Sequence, residues 1–138
     1  MILTKTTEYA IRVLTFMVSQ DNRELFSAKY LHEQLNIPYK YLTKLMTDLA
    51  KNNCLTSIRG RNGGFRITKK SNEISLAKII KAVEGMNSFN ACILGFHECS
   101  SENPCAMHFV WEKNKAAFIK TLENTTLNDI NHMKISKF

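Results

Sequence analysis

The sequence predicts a mainly α-helical fold with one small β-hairpin: a winged helix-turn-helix followed by a long C-terminal helix. Three observations predict it. Apolar residues recur at helical spacing in three consecutive segments before residue 52. The period then shortens to two on both sides of a glycine-rich turn. After an irregular stretch bearing cysteines, helical periodicity returns from about Pro104.

Residues 4–20 form the first segment. Tyr9, Val13, Phe16 and Met17 fall on one face, Thr4 is placed to cap it, and Glu8 and Arg12 are spaced to pair at i,i+4. Residues 21–23 make a turn. Residues 27–36 form a short helix capped by Ser27, with Leu31 and Leu35 on its inner face. Asn36-Ile37-Pro38 breaks it, and a third helix starts at about Pro38, a favourable first-turn residue. It carries Tyr41, Leu42, Leu45, Met46 and Leu49 to Lys51. Alternating residues 55–59 and 65–68 flank Gly60-Arg61-Asn62-Gly63-Gly64, which reads as a hairpin. A helix over 75–84 stops at Gly85, and residues 86–103 have no clear period. The long helix runs from about 104 to 122 through Met107, Val110, Trp111, Phe118 and Ile119, and residues 125–131 form a short final turn.

The 138 residues bound the answer to one small unit, read as a reader region over 1–70 and a second region over 71–138. No apolar run approaches the roughly 20 residues of a membrane span. Met1-Ile2-Leu3-Thr4-Lys5 does not begin a signal peptide, so a cytoplasmic location is expected. The formal net charge is +7. Residues 1–70 carry 12 basic and 5 acidic side chains, whereas residues 71–138 carry 7 of each. The excess positive charge therefore lies wholly in the first half, which points to an anionic partner such as nucleic acid.

Helix, helix, helix and hairpin is the order of a winged helix-turn-helix. Its third helix would enter a major groove with N-terminal residues at base edges. Those residues are Tyr39, Lys40, Thr43 and Lys44. Lys40 and Lys44 project from one face and can donate to guanine or phosphate; Thr43 can bond a base or touch a thymine methyl. Arg59 and Arg61 sit among glycines at the hairpin tip, where arginine suits a narrow minor groove.

Of the four cysteines, Cys92, Cys99 and Cys105 fall within 14 residues, separated by six and five residues. Cys54 ends a helix and reads as a core residue. In a reducing compartment the cluster means metal binding or redox sensing rather than structural disulfides. Thiolates suit zinc or an iron–sulfur cluster, and His108 follows Cys105 at i+3. The spacing is neither that of zinc fingers nor that of the four-cysteine ferredoxin run. A set of free, redox-active thiols stays open.

Over nearly its whole length the chain resembles the Rrf-type family of bacterial winged-helix repressors, which includes the iron–sulfur regulator IscR and the nitric-oxide sensor NsrR. The resemblance rests on Leu3-Thr4-Lys5 with Glu8-Tyr9-Ala10, on Tyr41-Leu42, and on the wing Ser57-Ile58-Arg59-Gly60-Arg61-Asn62-Gly63-Gly64-Phe65. It rests further on the three cysteines, Cys105-Ala106-Met107-His108 followed by Trp111, and Thr126-Leu127-Asn128-Asp129-Ile130. It implies a homodimer built on the long C-terminal helix, and a [2Fe–2S] or [4Fe–4S] cluster bound by Cys92, Cys99 and Cys105. The fourth ligand implied is His108 in the IscR-like pattern, or in the NsrR-like pattern a first-helix carboxylate of the other subunit, the position Glu8 occupies. Glu8 is slightly favoured. The family usually has five residues between its first two cysteines, and this chain has six.

The expectation is a dimeric regulator of transcription, a repressor, whose affinity for an operator in double-stranded DNA follows a labile cluster sensing redox state, nitric oxide or iron–sulfur status. Two alternatives remain: a cluster-free thiol-redox regulator, and a small iron–sulfur electron carrier. Enzymatic function is not expected. No Ser/His/Asp set or phosphate-cradling glycine motif is present, and Gly63-Gly64 lies on a wing turn rather than before a helix.

Overall fold

Short polar side chains set the helix starts. The computed structural model describes residues 3–131 apart from 21, 69 and 99. In it, α1 spans Lys5–Ser19 and α2 spans Ala28–Leu35. Thr4 accepts a hydrogen bond from the Thr7 amide at 3.3 Å, and Ser27 accepts one from the Tyr30 amide at 3.0 Å. Each cap satisfies an amide that has no partner inside its helix. Asn36 ends α2 in the left-handed region at φ 55, its amide bonded to the His32 carbonyl. The third helix, α3, spans Tyr39–Lys51. It begins one residue later than the sequence suggests, because Pro38 stays extended (ψ 130) and acts as the N-cap rather than the first helical residue.

Strands β1 (Leu55–Ile58) and β2 (Gly64–Ile67) pair antiparallel, with Leu55 opposite Ile67 and Ile58 opposite Gly64. Phe26 joins as an isolated bridge, exchanging backbone hydrogen bonds with Phe65 at 2.8 and 2.7 Å. The paired glycines follow from this crowding. A Cβ on Gly63 would lie 2.1 Å from the Ile58 carbonyl oxygen, and one on Gly64 2.6 Å from that of Phe26.

After a short 3-10 turn at Ser71–Glu73 come α4 (Leu76–Val83), α5 (Asn87–Asn90), α6 (His108–Asn124) and α7 (Leu127–Asn131). Ser75 caps α4 through the Lys78 amide at 3.1 Å. The sequence period does not reveal α5, a single turn held by buried Phe89. Nor does α6 start at Pro104. The chain makes a turn in which the His108 amide bonds the Cys105 carbonyl at 3.1 Å, and the helix proper begins at His108. Cys105 thus precedes the helix, and only His108 lies within it.

Ala10, Val13, Leu14 and Met17 of α1 meet Leu42, Leu45, Met46 and Leu49 of α3 in the main core. Fully buried Cys54 lies in the same core, as its sequence position suggests. Ile74, Ile79, Ala82 and Leu127 join that core from the second half of the chain. A smaller core gathers Ala77, Ile80, Phe89 and Leu122. Helix α4 therefore supplies side chains to both.

One expected contact is different. Glu8 does not pair with Arg12; its carboxylate binds Lys5 at 3.0 Å. The Arg12 guanidinium instead donates to the Leu35 carbonyl at 2.9 Å, completing the C-terminal end of α2. A backbone acceptor with no helical partner draws the guanidinium away from the carboxylate.

Candidate nucleic-acid interface and cysteine cavity

Helix α3 buries Leu42, Leu45, Met46 and Leu49 on one side, which leaves Tyr39, Lys40 and Lys44 exposed on the other. Tyr39 is 51% exposed despite its size. Lys44 reaches Asp48 at 3.9 Å, a loose surface pair that leaves its ammonium accessible. Thr43 is half-buried, and its hydroxyl donates to the Lys40 carbonyl at 2.9 Å, so toward a ligand it is oriented as an acceptor. The helix is fixed against α1 by the Tyr41 hydroxyl, 2.5 Å from the Thr6 hydroxyl, and by an edge-on Tyr9–Tyr41 contact at 5.5 Å. At the hairpin tip Arg59 and Arg61 are both exposed. The side chains read from sequence as a basic surface are thus mounted on an anchored helix and a tight turn.

The second site lies between α5 and α6. Cys92, Cys105 and His108 border one cavity of about 380 Å³, together with His97 and Glu98. His108 is 9% exposed and lies 3.7 Å from the Glu112 carboxylate. The indole N–H of Trp111 donates to the Ala91 carbonyl at 3.2 Å, which fixes the chain just before Cys92 to α6. No local pattern in the sequence records this anchor or places His97 and Glu98 on the wall. Cys99 lies outside the described residues. Its neighbour Glu98 and, beyond the Ser100–Asn103 bridge, Asn103 border the same cavity.

Glu8 is not part of this cavity within one chain. It is half-exposed on α1, and its hydrogen bond and charge hold the Lys5 ammonium above its ordinary pKa. Among the described residues, no three metal-ligating side chains converge closely enough to hold an ion as they stand. The donor chemistry nonetheless fits an iron–sulfur group: two soft thiols and an imidazole share one wall, beside the amide-rich start of a 17-residue helix that favours a net negative guest.

The family profile of Rrf2, described as an iron-dependent transcriptional regulator, matches residues 3–133. The chain is 34% identical over 129 residues to the HTH-type transcriptional regulator NsrR of Oceanobacillus iheyensis, covering 93% of this chain and 88% of that protein. It is 33% identical to the NsrR of Geobacillus kaustophilus with the same coverage. Its fold is similar to that of CymR, the global cysteine regulator of B. subtilis, with a TM-score of 0.76 at 21% identity over 95% of this chain and 96% of that one. It is also similar to T. potens IscR, with a TM-score of 0.74 at 20% identity over 99% and 94%. Both NsrR relatives are named transcriptional regulators. Among the described residues, no helix is long and apolar enough to cross a membrane.

Proposed function

The chain belongs to the Rrf2 family of transcriptional regulators, and from that premise we propose a dimeric, cytoplasmic repressor whose grip on an operator follows an iron–sulfur cluster at the cysteine cavity. The shared wall of Cys92, Cys105 and His108 carries the cluster reading. Cys92, Cys99 and Cys105 would be its cysteine ligands. Glu8 of the partner subunit, slightly favoured from the sequence, is the fourth-ligand candidate, and His108, on the wall in the same chain, is the alternative. A bound [2Fe–2S] or [4Fe–4S] cluster supplies an iron centre open to oxidation, nitric oxide and iron shortage.

The chain's own residues account for the rest. Tyr39, Lys40, Thr43 and Lys44 would meet base edges and phosphates of the major groove, and Arg59 and Arg61 the adjacent minor groove. Dimerisation is supported by α6, which buries only His108 and Leu122 within its own chain. Phe109 and Val110 are 59% and 54% exposed, an apolar face that a second copy would cover. Two copies would set their recognition helices about one DNA turn apart. Reorganisation of the 86–105 loop by the cluster would then alter the seat of α4, which packs into both cores, and with it the spacing of the two helices.

The test is anaerobic purification, with iron and sulfide assays and visible absorption. Bound iron and sulfide, lost in Cys92→Ser and Cys105→Ser, are expected. A colourless, iron-free protein overturns the cluster reading and leaves a thiol switch on the same two cysteines. An iron-loaded protein with no affinity for duplex DNA in any state would instead be an electron carrier.

A further inference from the structure

The sequence assigns no role to His32, yet it occupies the joint on which DNA reading would turn. It lies in the last turn of α2, and its Nδ1 is 2.5 Å from the carbonyl oxygen of Ile37. A carbonyl only accepts, so this nitrogen carries the hydrogen and donates. Ile37 is fully buried, and its carbonyl falls between two helices, outside the ladder of either one. The first backbone bond of α3 runs instead from the Leu42 amide to the Pro38 carbonyl. Pro38 offers no side-chain cap. His32 therefore satisfies a backbone group that the turn would otherwise leave unpaired. The same imidazole stands edge-on to the Tyr39 ring, with centroids 6.0 Å apart and planes at 80°. Tyr39 is the first residue of α3, and its ring projects half into solvent.

We infer that His32 is a positioning residue for sequence recognition: one edge fixes the α2–α3 turn through Ile37, and its ring sets the side chain of Tyr39 at the groove-facing start of α3. This rests on the DNA-reading face proposed above and deepens it. Phosphate contacts from the lysines and wing arginines need only approximate placement, because charge acts at a distance. Base-edge contacts need the first turn of α3 held to fractions of an ångström. Loss of His32 should therefore erode discrimination and spare non-specific affinity.

The experiment uses the full chain and a duplex that the wild type enriches from a randomised pool, with a scrambled duplex of equal composition. His32→Ala is expected to raise the Kd for the selected duplex about tenfold. The Kd for the scrambled duplex should stay within about twofold, with the same salt slope. His32→Asn, which keeps an N–H near the Nδ1 position, should recover part of the loss. In a Tyr39→Ala background, His32→Ala should add less than it does alone, since the two act as a unit. If His32→Ala does not fold, the comparison rests on His32→Asn and His32→Phe, and the donor-bearing variant should discriminate better. Equal weakening on both duplexes would mean a merely structural histidine and would overturn the inference alone, as would unchanged discrimination. A wild type that enriches no duplex would overturn the DNA reading and this inference with it.

Discussion

The helix-turn-helix with its wing and the cysteine loop are held by different means. In the first, three consecutive helices and a hairpin share one core, and Thr4 and Ser27 cap helix ends. Among the described residues between α5 and α6, Trp111 holds Ala91, the His108 amide holds the Cys105 carbonyl, and the Gly95–Cys92 and Asn103–Ser100 hydrogen bonds are local. Between these points Ile93, Leu94 and Phe96 are exposed, Phe96 at the rim of the cysteine cavity. A reader of DNA needs a shape that exists before the ligand arrives, whereas a sensor needs one that its ligand can complete. The charge divides in the same way, with the whole excess of +7 in the first 70 residues.

Substitutions in the two regions should have different consequences. The largest effect should fall on the loop: Cys105→Ser or Cys92→Ser should abolish bound iron in an anaerobic preparation, while the denaturation midpoint of the apo protein stays within a degree or two. In the reader, Leu42→Ala removes a fully buried side chain and should cost about 2–5 kcal/mol in chemical denaturation. Phe96→Ser, on the exposed loop, should change stability by less than about 0.5 kcal/mol. Lys44→Ala and Arg61→Ala should each weaken binding to duplex DNA several-fold and lower the salt slope by about one, with iron content unchanged. A lost helix cap should cost less than the lost core leucine: Ser27→Ala should remove about 1 kcal/mol by the same denaturation assay. If Phe96→Ser proved as costly as Leu42→Ala, the two regions would not differ as described.

The same division explains what the sequence made legible. Caps and periodic apolar faces are local signals, so Thr4 and Ser27 marked two helix starts, and the wing glycines marked the turn. The membership in a regulator family and the helix-rich fold with one hairpin were legible too. Helix α5 was not, because Phe89 is buried by distant partners, Ala77 and Ile80 of α4 and Leu122 of α6, with Phe118 at 6.1 Å, and no local period records that. Pro104 was a misleading start for α6, since a first-turn proline and a proline in the preceding turn look alike in sequence. Arg12 suggested Glu8 as its partner by spacing alone, but a carbonyl 23 residues away claimed it. The shared wall of Cys92, Cys105 and His108 needed the loop to close, which spacing could only suggest.

The central claim is that reader and sensor are coupled through one chain. Its most direct test is fluorescence anisotropy of a labelled, wild-type-selected duplex, titrated anaerobically with iron-loaded protein and with the same protein stripped of iron. Coupling between the two requires the Kd values to differ by at least about tenfold, or 1.4 kcal/mol. Equal affinities from a preparation whose iron and sulfide content has been verified would contradict it.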